Sequence, residues 1–150
     1  MSRHFEHGST LPETAIACVA LLSLLFGVID FGRALYTYAF VAQVAREGSR
    51  WAIVRGSTSC TNSGNGLAGC DATAPAIQSY VQSLSQGATT ASQISVVPTW
   101  SNCPSAAATV LNAPGCTVNV QVTYPFRFIL GFMPGMTINM SSSSQMVIAQ

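Results

Sequence analysis

The fold is decided by one uninterrupted stretch near the N-terminus. It reads TLPETAIACVALLSLLFGVI at residues 10–29 and continues as DFGRALYTYAFVAQVAREGSRWAIVR at residues 30–55. Residues 14–29 carry no charge, whereas charged and polar residues recur at helical spacing from Asp30 onward. We therefore predict one long helix over residues 9–55, whose first half spans a membrane at about residues 12–31.

The uncharged run is marginal in length for a membrane span. As a helix it rises about 24 Å, against a hydrocarbon core of about 30 Å. The span therefore has to include Leu11 and Pro12 at one end, or Phe31 and Leu35 at the other. The alternative is a core helix of a soluble protein, but the rest of the chain is too small to cover it.

Composition limits what the remaining residues, 56–150, can do. Charged residues make up 7% of the chain, against about 25% in an average soluble protein. After Arg55 only Asp71 and Arg127 are charged, so this domain must recognise partners by shape and hydrogen bonds. A net charge of +1 gives no electrostatic footprint for nucleic acid, and no nucleic-acid partner is expected.

The cysteines predict disulfides and a compartment. Cys18 lies inside the apolar run, where a thiol behaves as a small hydrophobe. Cys60, Cys70, Cys103 and Cys116 follow the membrane segment and allow three pairings, of which the short loops favour Cys60 with Cys70 and Cys103 with Cys116. Zinc would need CxxC spacing or a nearby histidine, so no metal is expected. Disulfides indicate an oxidising, extracytoplasmic compartment.

No catalytic constellation is present in the sequence. Residues 8–150 contain no histidine, which excludes Ser–His and Cys–His nucleophile systems there. Asp71 is the only acid after Glu47, so no carboxylate pair is available for acid–base work. The glycine-rich loop around Gly64 and Gly66 lacks the lysine of a phosphate-binding loop. We expect neither an enzyme nor a cofactor.

The distal domain is predicted to be α+β, a short helix on a small antiparallel sheet. The clearest strand has Val118, Val120, Val122 and Tyr124 alternating with polar residues. Pro98 either places an earlier strand at a sheet edge or ends that strand early. The predicted elements are a helix at residues 74–84, strands at 93–100 and 116–124, an apolar connection at 125–134, and a last strand or bent pair at 136–148.

The second half of the long helix carries two predicted features. One is an amphipathic packing stripe made of Phe31, Leu35, Tyr38, Ala42, Ala45, Ser49 and Ala52. The other is an ion pair between Asp30 and Arg33, which are three residues apart. Tyr36 and Tyr38 suit a membrane–water boundary or packing inside the distal domain, and the sequence leaves both open.

The start of the helix carries a capping box. Thr10 is the predicted N-cap, Pro12 lies in the first turn, and Glu13 reaches back to the cap amide. Glu13 also stands at the edge of an apolar helix, where a carboxylate deep in hydrocarbon costs about 3 kcal/mol, so it is a functional candidate as well. Residues 1–8 (MSRHFEHG) are too short and polar for a secretory signal peptide.

The two topology signals disagree. Arginines are more frequent after the span, at Arg33, Arg46 and Arg50, than before it, which by the positive-inside rule puts the domain in the cytoplasm. The distal cysteines favour the opposite side. We follow the cysteines and expect an extracytoplasmic domain.

Three segments resemble one family in order and spacing. They are Gly8-Ser9-Thr10-Leu11-Pro12-Glu13 before the apolar run, GVIDFGRA at residues 27–34, and VAREGSR at residues 44–50. Together they resemble the TadE-like family, the minor pilins or pseudopilins of tight-adherence, type IVb pilus systems. The strand VQVTYP at residues 120–125 and the serine-rich last strand are similar to the family as well.

The resemblance implies a site and a set of partners. A prepilin peptidase would cut between Gly8 and Ser9, removing leader residues 1–8, and Glu13 would then meet the new terminal amine of a neighbouring subunit. The implied partners are that peptidase, other pilins through the N-terminal helix, the inner-membrane pilus assembly platform and the lipid bilayer. The implied location is the bacterial inner membrane, single-pass, or a surface pilus. The candidate helix-packing residues are Asp30, Arg33, Arg46, Glu47, Gly48 and Arg50.

The sequence departs from the family pattern at Pro12 and at Thr14, where many major pilins of this class carry an aromatic residue. These departures leave a second hypothesis open. The chain would then be an uncleaved single-pass anchor that displays a disulfide-stapled ligand-binding domain outside the cell.

Overall fold

The structure, a computed structural model, describes residues 10–59, 71–85, 89–104, 111–129 and 137–149. Within them the strands form one antiparallel sheet in the order β1-β2-β3, with helices on it. The predicted α+β arrangement is confirmed. The elements are α1 (Thr10–Ile53), α2 (Ala74–Ser83), a 3-10 turn (Ala91–Gln93), β1 (Ser95–Ser101), β2 (Thr117–Arg127) and β3 (Thr137–Val147).

The long helix is continuous, as the sequence predicts. α1 runs unbroken for 44 residues, and Pro12 lies in its first turn, where a missing backbone N–H costs nothing. Thr10 is the first helical residue, so the predicted N-cap lies one position inside the observed boundary. Helix ends commonly differ by one or two residues.

The predicted central strand is confirmed, and it is longer than predicted. Val118, Val120 and Val122 are fully buried, whereas the residues between them are polar. The prediction of a connection at residues 125–134 is wrong at its start, because the ladder continues to Arg127 and Phe126 is 2% exposed opposite Ile138. The rest of that prediction, from residue 130, lies outside the described residues.

The two edge strands also follow the sequence pattern. β1 is an edge strand and contains Pro98 opposite Val120. It begins at Ser95, two residues later than predicted, because Gln93 closes the 3-10 turn. β3 is one strand rather than a bent pair, and alternate residues from Met140 onward are half-buried toward α1.

α2 forms as predicted and ends one residue early. Thr73 is its N-cap, and the Thr73 hydroxyl accepts a hydrogen bond from the amide of Ala76 at 3.4 Å. Ile77 and Val81 point inward, and α2 packs against β1 and α1. The helices thus form one layer and the sheet the other. The core between them consists mainly of Val41, Val44, Ala45, Ala52, Ile77, Val81, Ile94, Val96, Val118, Val120, Val122, Tyr124 and Ile148.

The predicted packing stripe of α1 is wrong in its first half. Phe31, Leu35 and Tyr38 are 65%, 54% and 60% exposed, whereas Thr37 and Val41 are each 3% exposed or less. The buried face is shifted by one residue from the predicted stripe. Apolar residues lie on all sides of this part of the helix, so their spacing alone does not identify the face that packs on the sheet. The two stripes converge at the small residues Ala45, Ser49 and Ala52.

A disulfide closes the turn before β2. Cys103 is bonded to Cys116, the pairing that the short loop favours. Beside it Gly115 has φ of 86°, and a Cβ there would lie 2.9 Å from the Pro104 ring, so both conformation and space favour glycine. Cys60 and Cys70, the other predicted pair, lie outside the described residues.

Gly48 is where α1 approaches its neighbours most closely among the glycines of the helix. A Cβ at this position would lie 2.7 Å from Cγ2 of Val81 and 3.3 Å from Cγ1 of Val120. A Cβ on Gly32 of the same helix would meet nothing within 4 Å. Gly48 therefore lets α1 contact α2 and the central strand together.

We expect Gly48→Ala to be less stable than Gly32→Ala by about 1–3 kcal/mol, the usual cost of overpacking a core. Both changes raise helix propensity equally, so their difference isolates the steric effect. Denaturant unfolding of the two variants in detergent micelles measures it. Equal free energies of unfolding would show that the Val81 and Val120 side chains move aside without cost.

Candidate functional site: the exposed helix and its junction with the domain

α1 is divided at Asp30 into two halves. In the exposed half, residues 10–29, every residue is exposed except Ser23 and Gly27, which are half-buried. Asp30 is 3% exposed and is the first buried residue of the helix. From there the packed half, residues 30–53, lies on β2, β3 and α2. The end of the uncharged sequence thus coincides with the start of tertiary packing.

The exposed half has the length and composition of a membrane span. Its 20 residues rise about 30 Å, which matches the hydrocarbon core of a bilayer. Among the described residues, α1 is the one helix long and apolar enough to cross a membrane, and its most apolar window is 6% buried. A core helix of a soluble protein would be mostly covered. The helix therefore fits a membrane anchor.

Polar side chains within the exposed half are satisfied locally. The Thr14 hydroxyl donates to the carbonyl oxygens of Thr10 at 3.0 Å or Leu11 at 2.9 Å, and the Ser23 hydroxyl donates to that of Val19 at 2.8 Å. Such bonds lower the cost of placing hydroxyls in lipid. Thr14, where the sequence departs from the pilin pattern, is thus compatible with a membrane helix.

Glu13 is exposed in the first turn of α1. A carboxylate there is favoured by the positive end of the helix dipole and by the unpaired amides of the first turn. The predicted cleavage residues, Gly8 and Ser9, lie outside the described residues. The structure therefore gives the position of the acid relative to the helix but not the geometry of the peptide bond before it.

The junction between the two halves is built around the Asp30 carboxylate. Its Oδ1 accepts from the Arg33 guanidinium at 2.9 Å, which is the predicted ion pair, and its Oδ2 accepts from the backbone N–H of Ile129 at 3.0 Å. The guanidinium also lies over the Phe126 ring, 5.4 Å from its centre. A buried charge is tolerated when it is paired and hydrogen-bonded. The junction ties the end of β2 to the base of the packed half.

Residues 44–50, the third segment of the resemblance, divide between two surfaces. Arg46 and Arg50 are exposed and lie one turn apart on the helix. Gly48 and Ser49 face inward, and the Ser49 and Ser144 hydroxyls are 2.8 Å apart. The segment thus presents two cations outward while it fixes α1 on the sheet.

Glu47 connects the same segment to α2. The Tyr80 hydroxyl donates to Oε1 of Glu47 at 3.3 Å, and the Tyr80 ring stacks on Trp51 with 5.0 Å between centres. Burial raises the pKa of Tyr80, and the Glu47 carboxylate raises it further, so the hydroxyl remains a donor at neutral pH. Glu47 therefore has a structural contact in addition to its place in the motif.

An open groove lies beside this contact, between α1 and the end of α2. Sequence reasoning missed it, although its α1 residues recur at three- and four-residue steps. Its polar groups are the Glu47 carboxylate and the Gln43 amide. The residues that line it are Tyr36, Phe40, Gln43, Val44, Glu47 and Leu84.

In the part of the chain that the structure describes, no three His, Cys, Asp or Glu side chains come together as a metal site would require. Asp71, the one acidic residue after Glu47 in the sequence, accepts a hydrogen bond from the Asn112 amide.

The fold and the exposed helix define a small α+β domain carried on a helix that fits a membrane anchor. The family model for TadE-like proteins matches residues 8–50, so the resemblance is confirmed over that range, most of which lies in α1. TadE-like proteins are structural components of pilus systems. Comparison with curated proteins and with solved structures gave no significant match.

Sequence reasoning missed the partners of the junction. Phe126 and Ile129 lie almost 100 residues from Asp30 in the chain, and nothing in local spacing links them. The sequence did indicate that Asp30, an acid at the end of an apolar run, needs partners. Its own helix provides one of them, Arg33.

We expect Asp30→Ala to lower the free energy of unfolding by about 1.5–3 kcal/mol, the range for hydrogen bonds to charged groups. Asp30→Asn keeps an oxygen for the Ile129 amide and should fall between Asp30→Ala and the natural protein. Gln43→Ala, an exposed change on the same helix, is the control. Unfolding in micelles and hydrogen exchange at Ile129 measure the effect, and Asp30→Ala matching Gln43→Ala would contradict it.

Proposed function

We propose that this protein is a minor pilin or pseudopilin, a structural and assembly component of a tight-adherence, type IVb pilus that acts in adhesion or secretion. The single observation that carries the proposal is the exposed half of α1, which follows Gly8, carries Glu13 in its first turn and leads directly into a packed domain. Such a helix can exchange contacts with lipid for contacts with the helices of neighbouring subunits.

Small and apolar residues in the exposed half support this exchange. In lipid, helices associate by close packing rather than by the hydrophobic effect. A Cβ at Gly27 would meet nothing within 4 Å, so another helix can approach the backbone there. The domain stays attached during the transfer because the packed half is held separately.

Glu13 supplies the electrostatic part of the proposal. After cleavage between Gly8 and Ser9 by a prepilin peptidase, it would be the fifth residue of the mature chain. Its carboxylate would pair with the new terminal amine of a neighbouring subunit. Pairing offsets the cost of moving a charge out of water, and an unpaired acid would oppose assembly.

The proposed location is the bacterial inner membrane, with the domain on the extracytoplasmic side. The Cys103–Cys116 disulfide supports that side, because disulfides persist in oxidising compartments. The proposed partners are the peptidase, other pilins through α1, and the inner-membrane assembly platform.

The groove beside Glu47 favours a second candidate function. An uncleaved anchor would use it, or the polar sheet surface, to bind a ligand outside the cell. This alternative needs neither Gly8 nor the charge on Glu13, and both can be tested.

In cells that contain the peptidase, the natural chain should begin at Ser9, and Gly8→Ala should leave it beginning at Met1, because the peptidase would need glycine before the cut. Gly27→Ala is the matched control and should be cut normally. N-terminal sequencing and intact mass of the membrane-extracted protein decide this. A natural chain that retains Met1 would favour the uncleaved anchor.

Glu13→Gln separates charge from helix capping. Glutamine preserves the capping interaction, so if Glu13 acted only as a cap, Glu13→Gln would assemble normally. Alanine loses the interaction, which costs about 1 kcal/mol of helix stability. We expect both Glu13→Gln and Glu13→Ala to be processed but to be lost from sheared filaments, because both lack the charge. Immunoblots of sheared and membrane fractions measure this, and normal assembly of Glu13→Gln would contradict the charge pairing.

A further inference from the structure

Three contacts fix the orientation of the sheet relative to α1. Ile129 bonds to Asp30 at the base of the packed half, Ser144 to Ser49 near its end, and the Ala149 amide to the Ile53 carbonyl at 3.2 Å. β3 therefore runs in the same direction as α1, and β2 runs back toward Asp30. The end of β2 and the start of β3 therefore lie beside Asp30, where the exposed half ends and the packed half begins.

That end of the domain exposes apolar side chains. Ile129 is 64% exposed and Phe31 on α1 is 65% exposed. Ile138, which pairs with the buried Phe126 across the ladder, is 42% exposed. The apolar surface of the exposed half thus continues onto the sheet.

The level of this surface relative to a bilayer follows from the helix. If residues 10–29 fill the hydrocarbon, which is about 30 Å thick, the polar interface begins at Asp30 and extends roughly 5–7 Å further. The 3.0 Å bond from the Ile129 amide to Asp30 places Ile129 within that interface. Its exposed side chain then meets lipid rather than bulk water.

The charges at this end suit phosphate headgroups. Asp30 is neutralised by Arg33, and Arg127, at the last position of β2, is exposed. Arginine near an interface can reach lipid phosphates while its stem stays in apolar surroundings.

We propose that Phe31, Ile129 and Ile138 form a second lipid-contacting surface, which seats the domain on the bilayer that holds α1. The occupant is lipid because the surface is continuous with the anchor and at the same depth. This inference rests on the membrane anchoring within the proposed function, but on neither processing nor filament entry. The membrane would then hold the domain at two places and limit its tilt.

The experiment uses the full chain in vesicles of phosphatidylcholine and phosphatidylglycerol. An environment-sensitive fluorophore is attached to Ile129→Cys in a Cys18→Ser background. The Cys18→Ser protein without an added cysteine measures labelling at other positions. Leu111→Cys is the matched control, because Leu111 is 61% exposed but lies in the segment next to the Cys103 disulfide. Val28→Cys, at 64% exposure, reports the anchor.

Lipids with a nitroxide near the headgroup should quench the Ile129 probe several-fold more than the Leu111 probe. A probe at Ile138→Cys should behave like that at Ile129, which covers the case in which one variant folds poorly. By the same helix geometry Val28 lies about 3 Å inside the hydrocarbon edge, so nitroxides near the headgroup should quench the Val28 probe as well.

The outcomes separate this inference from the rest of the proposed function. Quenching at Val28, with Ile129 and Ile138 no more quenched than Leu111, would overturn the second surface and leave the anchor intact. Absence of quenching at Val28 would overturn the membrane anchoring and the second surface with it. Neither result depends on whether the chain is cleaved after Gly8.

Discussion

One continuous helix meets two different surroundings in this protein, and the rest of the structure depends on that continuity. An α-helix satisfies its own backbone groups, so α1 is stable both against lipid and against a sheet. The transition is fixed at Asp30 by Arg33 and by the Ile129 amide. Sliding the helix deeper would carry this acid into hydrocarbon at a cost of about 3 kcal/mol, and sliding the domain along the helix would break both contacts.

The domain compensates for its small size by close packing. Gly48 allows α1 to contact α2 and β2 at once, and a disulfide closes the turn before β2. The other face of the sheet is open, as is common for antiparallel sheets. Gln121, Thr99 and Val97 are exposed there and Asn119 is half-buried, so this face mixes polar and apolar residues. Arg127, at the end of β2, is exposed on the same face.

The elements of the fold followed from the sequence because their signals are local. An uncharged run predicted the exposed half of α1, and alternation of Val118 with polar residues predicted β2. The packed face of α1 did not follow, because the neighbours that select it, such as Phe126 and Ser144, are distant in the chain. Of the candidate site, the Asp30–Arg33 pair was predictable from spacing, whereas Ile129 was not.

The parallel course of α1 and β3 has a mechanical consequence. A tensile load on the exposed end of the helix is directed along the strands, so it shears the contacts between helix and sheet instead of peeling them apart. In shear, the contacts from Asp30 to Ile53 share the force and must yield together. A protein built in this way resists extraction by pulling better than its small core alone would allow.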